Sequence, residues 1–400
     1  MSRLEELIQQ HCPDGVEYVK IGELAQVGTG SSNGNEAEDE GAYPFFVRSQ
    51  SIKRKNDYEY DEEAIIIPGE GGIGEIFHYI NGKYALHQRV YRIHFIVQSV
   101  NVKFAYYYMR SFFKQFIMKK AVSATVVSIR KPMIEDFVIP VPPLPVQEEI
   151  VRILDNFAEL QAELQAELQK RLQQYNYYRD KLLSFNELNG GGYAVSVEWK
   201  KLGEIGVFYG GLSGKSKEDF KDGNAKFISY KNVFYNLSLN VDTDERVKIG
   251  EGEKQNTIQY GDVLFTGSSE TPDECGMSSV LTQKTDEKLY LNSFCFGFRL
   301  HNPSLFCFDF LKHLFRSSEI RKQIGKTASG TTRFNVSKKR FAEVSIPIPP
   351  LAVQKQIADI LDKFYTLTAD LTQGLPAEIE ARRKQYEYYR DQLLTFKQKA

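Results

Sequence analysis

The side chains best suited to chemistry in this sequence are basic, amide and hydroxyl groups set among glycines. Arg48-Ser49-Gln50-Ser51-Ile52-Lys53-Arg54-Lys55 is the sharpest basic cluster, and Tyr230-Lys231-Asn232 falls at the matching place in the second half. Long-armed Arg, Lys, Gln and Asn side chains reach phosphate oxygens and base edges. The same composition also suits a solvated loop. His87-Gln88-Arg89 and Asn292-Ser293 are further candidates, although His87 would serve equally as a hydrogen-bonded packing residue. Arg130 and Lys131 in the first half, and Ser268, Ser269, Thr332, Arg333, Lys338 and Lys339 in the second, complete the groups expected to face a polyanion.

Three stretches imitate nucleotide motifs and fail on context. Gly69-Glu70-Gly71-Gly72-Ile73-Gly74 fits a dinucleotide fingerprint, but the following Glu75-Ile76-Phe77-His78-Tyr79-Ile80 reads as a strand, not the helix that motif requires. Gly71 and Gly72 are better read as a tight loop shaping a binding surface. Ser213-Gly214-Lys215-Ser216 resembles the end of a phosphate-binding loop, yet Tyr209 stands where its first glycine belongs. Ser213, Lys215 and Tyr209 are better read as a phosphate-backbone contact beside an aromatic. Phe208-Tyr209-Gly210-Gly211 hints at a methyl-donor site, but no Asn-Pro-Pro-aromatic motif follows. The chain is therefore expected to lack methyltransferase chemistry of its own, and no carboxylate-lysine or metal-ligand cluster supports a nuclease.

The elements that must position these groups are dominated by a repeat. Ile139-Pro140-Val141-Pro142-Pro143-Leu144, with Val146, Gln147, Ile150, Leu154, Asp155 and Phe157, returns as Ile346-Pro347-Ile348-Pro349-Pro350-Leu351, with Val353, Gln354, Ile357, Leu361, Asp362 and Phe364. Each copy closes with Tyr-x-Tyr-Tyr-Arg-Asp, at Tyr175 to Asp180 and Tyr386 to Asp391. The openings are offset by 207 residues and the closings by 211, so the second copy is longer by about one helical turn. Val16-Glu17-Tyr18-Val19-Lys20-Ile21-Gly22-Glu23 likewise returns from Val197 to Glu204.

The prolines hold each brace extended, and Pro145 opens a helix. Its stripe from Val146 to Phe185 includes Leu154, Phe157, Tyr178 and Leu182, and predicts a rod of roughly 60 Å. In the second copy Leu361, Phe364, Tyr389 and Leu393 take those places, with a break and restart expected at Gly374-Leu375-Pro376. The two helices are expected to pair antiparallel, burying both stripes.

Between the repeats lie glycine-punctuated runs that predict mixed, mostly antiparallel β modules. Strands are expected at Tyr43 to Val47, Ala64 to Ile67, Ile76 to Ile80 and Val90 to Phe95, then at Phe227 to Tyr230, Val263 to Thr266 and Ser293 to Leu300. Helices are expected around Phe104 to Phe116 and Phe308 to Ile324, with a short one over residues 1 to 15. The fold class is thus α+β, with two mixed modules, long helices and an internal pseudo-twofold repeat. The segments are 1–138 and 190–345 for the modules, and 139–189 and 346–400 for the braces and helices.

Bulk properties restrict the function. With 51 Lys and Arg against 52 Asp and Glu, the net charge is −1, so polyanion binding needs local patches. Four cysteines without a paired motif and six dispersed histidines argue against zinc or a disulfide framework and make a reducing cytoplasm the expectation. The charged N-terminus does not read as a signal peptide, and no apolar run is long enough to span a membrane.

The doubled brace, helix and Tyr-x-Tyr-Tyr-Arg-Asp tail resemble the specificity subunits of type I restriction-modification systems. That resemblance implies two target-recognition domains, each reading one half of a bipartite double-stranded DNA site. It implies antiparallel coiled-coil helices that set the gap and dock two modification (methyltransferase) subunits, joined by restriction subunits. S-adenosylmethionine, ATP and magnesium would belong to those partners, with no cofactor in this chain. Gly374-Leu375-Pro376 departs from a uniformly straight second helix. A different class of reading, a two-module protein-binding adaptor, predicts no sequence-specific footprint.

Overall fold

The computed structural model describes residues 3–120, 128–185, 197–369 and 374–399. Two compact units result, one formed by Met1–Leu164 with Ile379–Ala400 and the other by Gln165–Glu378.

The first unit runs α1 (Arg3–His11), β1 (Glu17–Lys20), α2 (Ile21–Leu24), β2 (Ala25–Thr29), β3 (Tyr43–Phe46), β4 (Lys53–Lys55), β5 (Tyr60–Pro68), β6 (His78–Leu86), β7 (Val90–Phe95), α3 (Val102–Lys120), α4 (Lys131–Glu135), β8 (Val138–Val141) and the start of α5 (Leu144–Leu182). Six strands form one sheet in the order β2-β7-β5-β6-β3-β4, antiparallel except for the parallel pair β3 and β6. Ala64 to Ile67 is fully buried, as a central strand covered on both faces requires. Ile65 and Ile67 face Ala105, Met109, Phe113 and Ile117 of α3, whereas Ala64 and Ile66 face Phe46, Tyr84 and Leu86. Burying each such large side chain contributes about 1.5–3 kcal/mol.

The second unit follows the same plan. After the end of α5 come β9 (Glu198–Lys201), α6 (Leu202–Ile205), β10 (Gly206–Gly210), β11 (Ala225–Ile228), α7 (Tyr230–Tyr235), β12 (Arg246–Val247), β13 (Thr257–Ile258), β14 (Val263–Thr266), β15 (Ser268–Ser269), β16 (Ser278–Val280), β17 (Leu289–Leu291) and β18 (Cys295–Leu300). Then follow α8 (Phe308–Leu314), α9 (Ser318–Gly325), β19 (Ala328–Ser329), β20 (Phe334–Val336), α10 (Lys338–Phe341), β21 (Ser345–Ile348) and α11 (Leu351–Ala369). The antiparallel order β10-β18-β14-β16 matches β2-β7-β5-β6, and the parallel pair β11 and β17 matches β3 and β6. What is one strand in the first unit, β6, is here divided into β16 and β17.

Two sequence expectations are corrected in this unit. Tyr230 opens α7 instead of ending a strand, because the Ser229 hydroxyl accepts from the Asn232 N–H and starts a helix. The single helix expected over Phe308 to Ile324 is two. The Arg316 guanidinium donates to the carbonyls of Ser278, Val233 and Phe234, and the Ser317 hydroxyl bonds back to the Leu314 carbonyl. Holding that arginine against the Ser278 carbonyl of β16 and the Val233 and Phe234 carbonyls of α7 turns the chain between α8 and α9.

The repeated edges are one structure, made twice. β1 pairs with the brace strand β8, setting Tyr18 against Pro140, and β9 pairs with β21, setting Trp199 against Pro347. A two-stranded ribbon tolerates proline because its outer edge needs no donor. The glutamine after each brace is fully buried and locks it in place. Gln147 accepts from the Asn101 N–H at 2.8 Å and donates to the Ser99 and Pro142 carbonyls at 2.8 and 2.6 Å. Gln354 does the same with the Cys307 N–H and the Leu305 and Pro349 carbonyls, at 2.8, 3.0 and 2.8 Å.

Each unit is completed by the tail of the other repeat. In the first, Phe157 stacks on Tyr389 of α12 (Leu375–Leu393), and Leu154 packs with Leu393, Leu394 and Tyr386. In the second, Phe364 stacks on Tyr178, and Leu361 packs with Tyr175, Leu182 and Leu183. Burial on α5 is strongest near its ends, and Leu160 is 51% exposed. α11 stops at Ala369 and α12 starts at Leu375, where the Gly374 carbonyl accepts from Ala377 and Glu378; residues 370–373 lie outside the described residues.

Candidate nucleic-acid interface

In the first module three chain segments separated by up to sixty residues are stitched together at the end of β5. The Gly69 N–H donates to the Arg89 carbonyl at 2.9 Å, and the Ile129 N–H donates to the Gly69 carbonyl at 2.9 Å. They frame a cleft of ≈ 200 Å³ lined by Gly69, Glu70, Gln88, Arg89, Tyr91 and residues 128–130. Gly71 and Gly72 have φ of +75° and +68°, the left-handed backbone that lets the loop turn back over the strand. No helix follows them, so the dinucleotide reading is excluded by the backbone itself.

Glu70 sits between two arginines. Arg48 Nη1 donates to it at 3.1 Å, and Arg89 Nη1 contacts both of its oxygens at 3.2 and 3.0 Å. These bonds, that of Arg89 foremost, hold the Glu70 carboxyl below the ordinary carboxylate range. His87 is only 6% exposed, and its Nδ1 accepts from the Arg89 N–H at 3.0 Å. Burial first, then the positive charges of Arg48 and Arg89, lower its pKa. His87 therefore stays neutral and shapes the loop that presents Arg89.

The rest of the basic cluster divides. Gln50 and Lys53 are exposed. Arg54 turns back to the Gly41 and Ala42 carbonyls, and Lys55 is held by Glu36, Asp57 and Ser32 with its side chain 12% exposed. Ser49 bonds to the Ser51 carbonyl, and Gln88 donates to Asn33. Arg130 is exposed at the cleft, and Lys131 pairs with Glu135 at 3.5 Å.

The second module repeats the stitching with other side chains. The Gly267 N–H donates to the Phe294 carbonyl at 2.7 Å, and the Val336 N–H donates to the Gly267 carbonyl at 2.9 Å. The cleft there, ≈ 320 Å³, is lined by Gly211, Ser268, Ser293, Phe294, Asn335 and Lys338. Beside it a groove of ≈ 540 Å³ is bounded by Tyr230, Lys231, Tyr235, Glu270, Thr332 and Arg333. Tyr230 stacks on Phe234 and donates to the Ser268 carbonyl at 2.7 Å. The Arg333 guanidinium bonds Ser268 and lies over the Phe294 ring, while Lys338 lies over Phe296. Tyr235 and Phe294 are 71% and 59% exposed, so both rings are open at the groove and the cleft.

Several candidates of this module serve the scaffold. Asn232 is buried and holds the Asn240 backbone through both amide atoms. Ser268 and Ser269 are largely buried in β15, paired with β20, and Asn292 accepts from the Phe294 N–H. Lys215 is engaged by Glu253 at 2.6 Å, Ser213 is bonded to Gln255, and Tyr209 donates to Asp262 under the Arg299 guanidinium. Lys339 is exposed on α10. Glu70, Phe234, Tyr235, Phe294, Glu270 and Glu274 also line these clefts and were not among the candidates read from the sequence. An aromatic beside polar residues was the available signal for Tyr235, at the end of α7, and for Phe294; Glu70 was hidden inside its glycine motif.

Among the described residues no group of histidine, cysteine or acidic side chains could hold a metal, and no helix is long and apolar enough to cross a membrane. Residues 13–174 and 195–381 match the family described as Type I restriction modification DNA specificity domain. The specificity subunit of the EcoR124I/EcoR124II type I restriction enzyme of Escherichia coli is 36% identical over 264 residues, covering 63% of this chain and 60% of that one. A putative type I restriction enzyme specificity subunit of Haemophilus influenzae is 30% identical over 381 residues, 89% of each chain. The type I restriction-modification S subunit of M. genitalium shares the fold at a TM-score of 0.53 and 16% identity, covering 95% of both chains. With two such matched segments on one doubled scaffold, the chain belongs to the family of type I restriction-modification specificity subunits.

Proposed function

We propose that this chain selects a bipartite double-stranded DNA sequence, one half through each module, for methyltransferase subunits that carry the chemistry. The observation that carries this is the pair of clefts: one set of backbone bonds, made at Gly69 and again at Gly267, presents different side chains in each module. A scaffold that repeats while its presented groups differ suits two independent readings. Exposed Lys53 and Arg130, and Lys231, Arg333, Lys338 and Lys339, supply phosphate contacts, which give affinity that weakens with salt. Because adenine must leave the stack to be methylated in a partner's pocket, this chain places the DNA without touching the reacting atom.

The recurrence of the exposed ring positions supports two modification subunits. Tyr177 and Tyr388 are each 61% exposed, and Tyr178 and Tyr389 are 40% and 41% exposed. In the first unit an apolar groove of ≈ 390 Å³ between Leu4, Ile153, Phe157, Tyr389 and Leu393 offers such a partner a seat. S-adenosylmethionine belongs to those subunits, and ATP and magnesium to restriction subunits, with the assembly in the cytoplasm. The test is a genome-wide map of N6-methyladenine with and without this chain beside its methyltransferase. A bipartite motif with a fixed gap should vanish with the chain. Exchanging residues 16–138 for another module should change one half-site; change in both would refute independent reading.

A further inference from the structure

The first module's cleft carries a charged triad that its scaffold does not need. Aligning the two modules by their shared backbone bonds sets Gly69 on Gly267, Ile129 on Val336, and the carbonyl of Arg89 on that of Phe294. The His87 N–H to Phe46 carbonyl bond likewise matches that from Asn292 to Ile228. In that register Arg48, Glu70 and Arg89 correspond to Tyr230, Ser268 and Phe294. The same backbone is therefore built with none of the three charges. Stability does not require them either, since their side chains are 46%, 41% and 57% exposed and exposed ion pairs add little.

What the triad does is fix two guanidinium groups in direction. Glu70 engages each arginine through Nη1 alone, and no other partner of either guanidinium occurs among the described residues. The described residues leave Nε and Nη2 of both unengaged, and a guanidinium with two adjacent donors matches O6 and N7 of guanine in the major groove. The carboxylate between them also disfavours a phosphate, which would bring a second negative charge against Glu70, but leaves a neutral base edge acceptable. Resting on the DNA-reading function above, we propose that Arg48 and Arg89, oriented by Glu70, read guanine in the half-site of the first module. Arg48 and Arg89 are the contacting residues, and Glu70 is a positioning residue.

The test uses the assembled complex of this chain with its methyltransferase. Maps of N6-methyladenine are taken for the unaltered chain, Arg48→Lys, Arg89→Lys and Glu70→Gln. Lysine keeps the charge and so the phosphate attraction, but lacks the fork. The expected result is a motif degenerate at a former guanine of one half-site, the other half-site unchanged, with discrimination there reduced roughly 10- to 100-fold. Binding of the unaltered complex to a duplex with 7-deazaguanine at that position, which lacks N7, should weaken roughly 10-fold and needs no variant to fold. Guanine absent from the first module's half-site, or lysine variants that keep the motif while all sites lose methylation evenly, would overturn the assignment. Absence of any chain-dependent bipartite motif in the unaltered complex would instead remove the DNA-reading function, and the guanine reading with it.

Discussion

Replacing Gln147 tests whether the brace holds the first module together. Its amide makes three hydrogen bonds while fully buried, joining the turn before α3 to the end of the brace. In Gln147→Ala the Asn101 N–H and the carbonyls of Ser99 and Pro142 lose their partner, at about 1 kcal/mol for each bond. The cavity left by the shortened side chain adds about 1 kcal/mol. The expected loss is about 4 kcal/mol, against a domain stability of about 5–15 kcal/mol. Gln147→Met fills nearly the same volume without the bonds and should lose about 3 kcal/mol, separating bonding from packing. Urea unfolding of the purified chain reads both, and Gln354→Met should weaken the second unit alike. If Gln147→Met unfolds within about 0.5 kcal/mol of the unaltered chain, the three bonds contribute nothing net and the locking role is refuted.

Acid should weaken the second unit through His313. This ring is fully buried, bonded through Nε2 to Asp362 at 2.7 Å and through Nδ1 to the Tyr175 hydroxyl at 3.0 Å, with Lys312 also on Asp362. Burial foremost holds the imidazole below its ordinary 6.5, against the pull of Asp362. The folded chain then binds fewer protons than the unfolded one, so stability is full above pH 6.5 and falls as the pH drops through it. Urea midpoints at pH 7.5 and 5.5 should show that fall, and His313→Gln should reduce it. Inserting four residues near Leu164 of α5 lengthens the helix by about 6 Å. Methylome mapping should then show a changed unread gap with both half-sites intact, and altered half-sites would refute the reading that the long helices set the gap. Gly30→Ala should destabilise the first unit by more than about 2 kcal/mol, because its Cβ would lie 1.8 Å from the Leu86 carbonyl oxygen; a thermal melt checks it.

Legibility followed the range of the interaction that fixes each feature. Val90 to Phe95 and Val263 to Thr266 are strands with those bounds because dense β-branched and aromatic runs decide them locally. The braces and the doubled Tyr-x-Tyr-Tyr-Arg-Asp tail were visible as repeats. That Phe157 meets Tyr389, and Phe364 meets Tyr178, could not be read from spacing, because it depends on which tail reaches which brace. The break at Arg316 was hidden for a similar reason, since its carbonyl partners lie up to 83 residues away. Within the candidate interface a run of positive charge said where the basic groups are. It did not say that Lys55 and Arg54 turn back to partners elsewhere in the module, or that Glu70 gathers Arg48 and Arg89.

The completion of the first unit by the far tail has a consequence in time. The second unit is one continuous stretch, whereas the first must wait for Tyr386, Leu393 and Leu394 to cover Phe157 and Leu154. The Val16 N–H to Lys397 carbonyl bond and the Lys399 N–H to Val16 carbonyl bond close last of all. At a synthesis rate of about 5–20 residues per second, the intervening second unit takes about 10–40 s to emerge. Through that interval the earliest-made module carries an uncovered apolar patch while the later-made one can already be finished. On the ribosome, the order of completion therefore runs opposite to the order of synthesis, and a chain stopped short of residue 386 should spoil its beginning rather than its end.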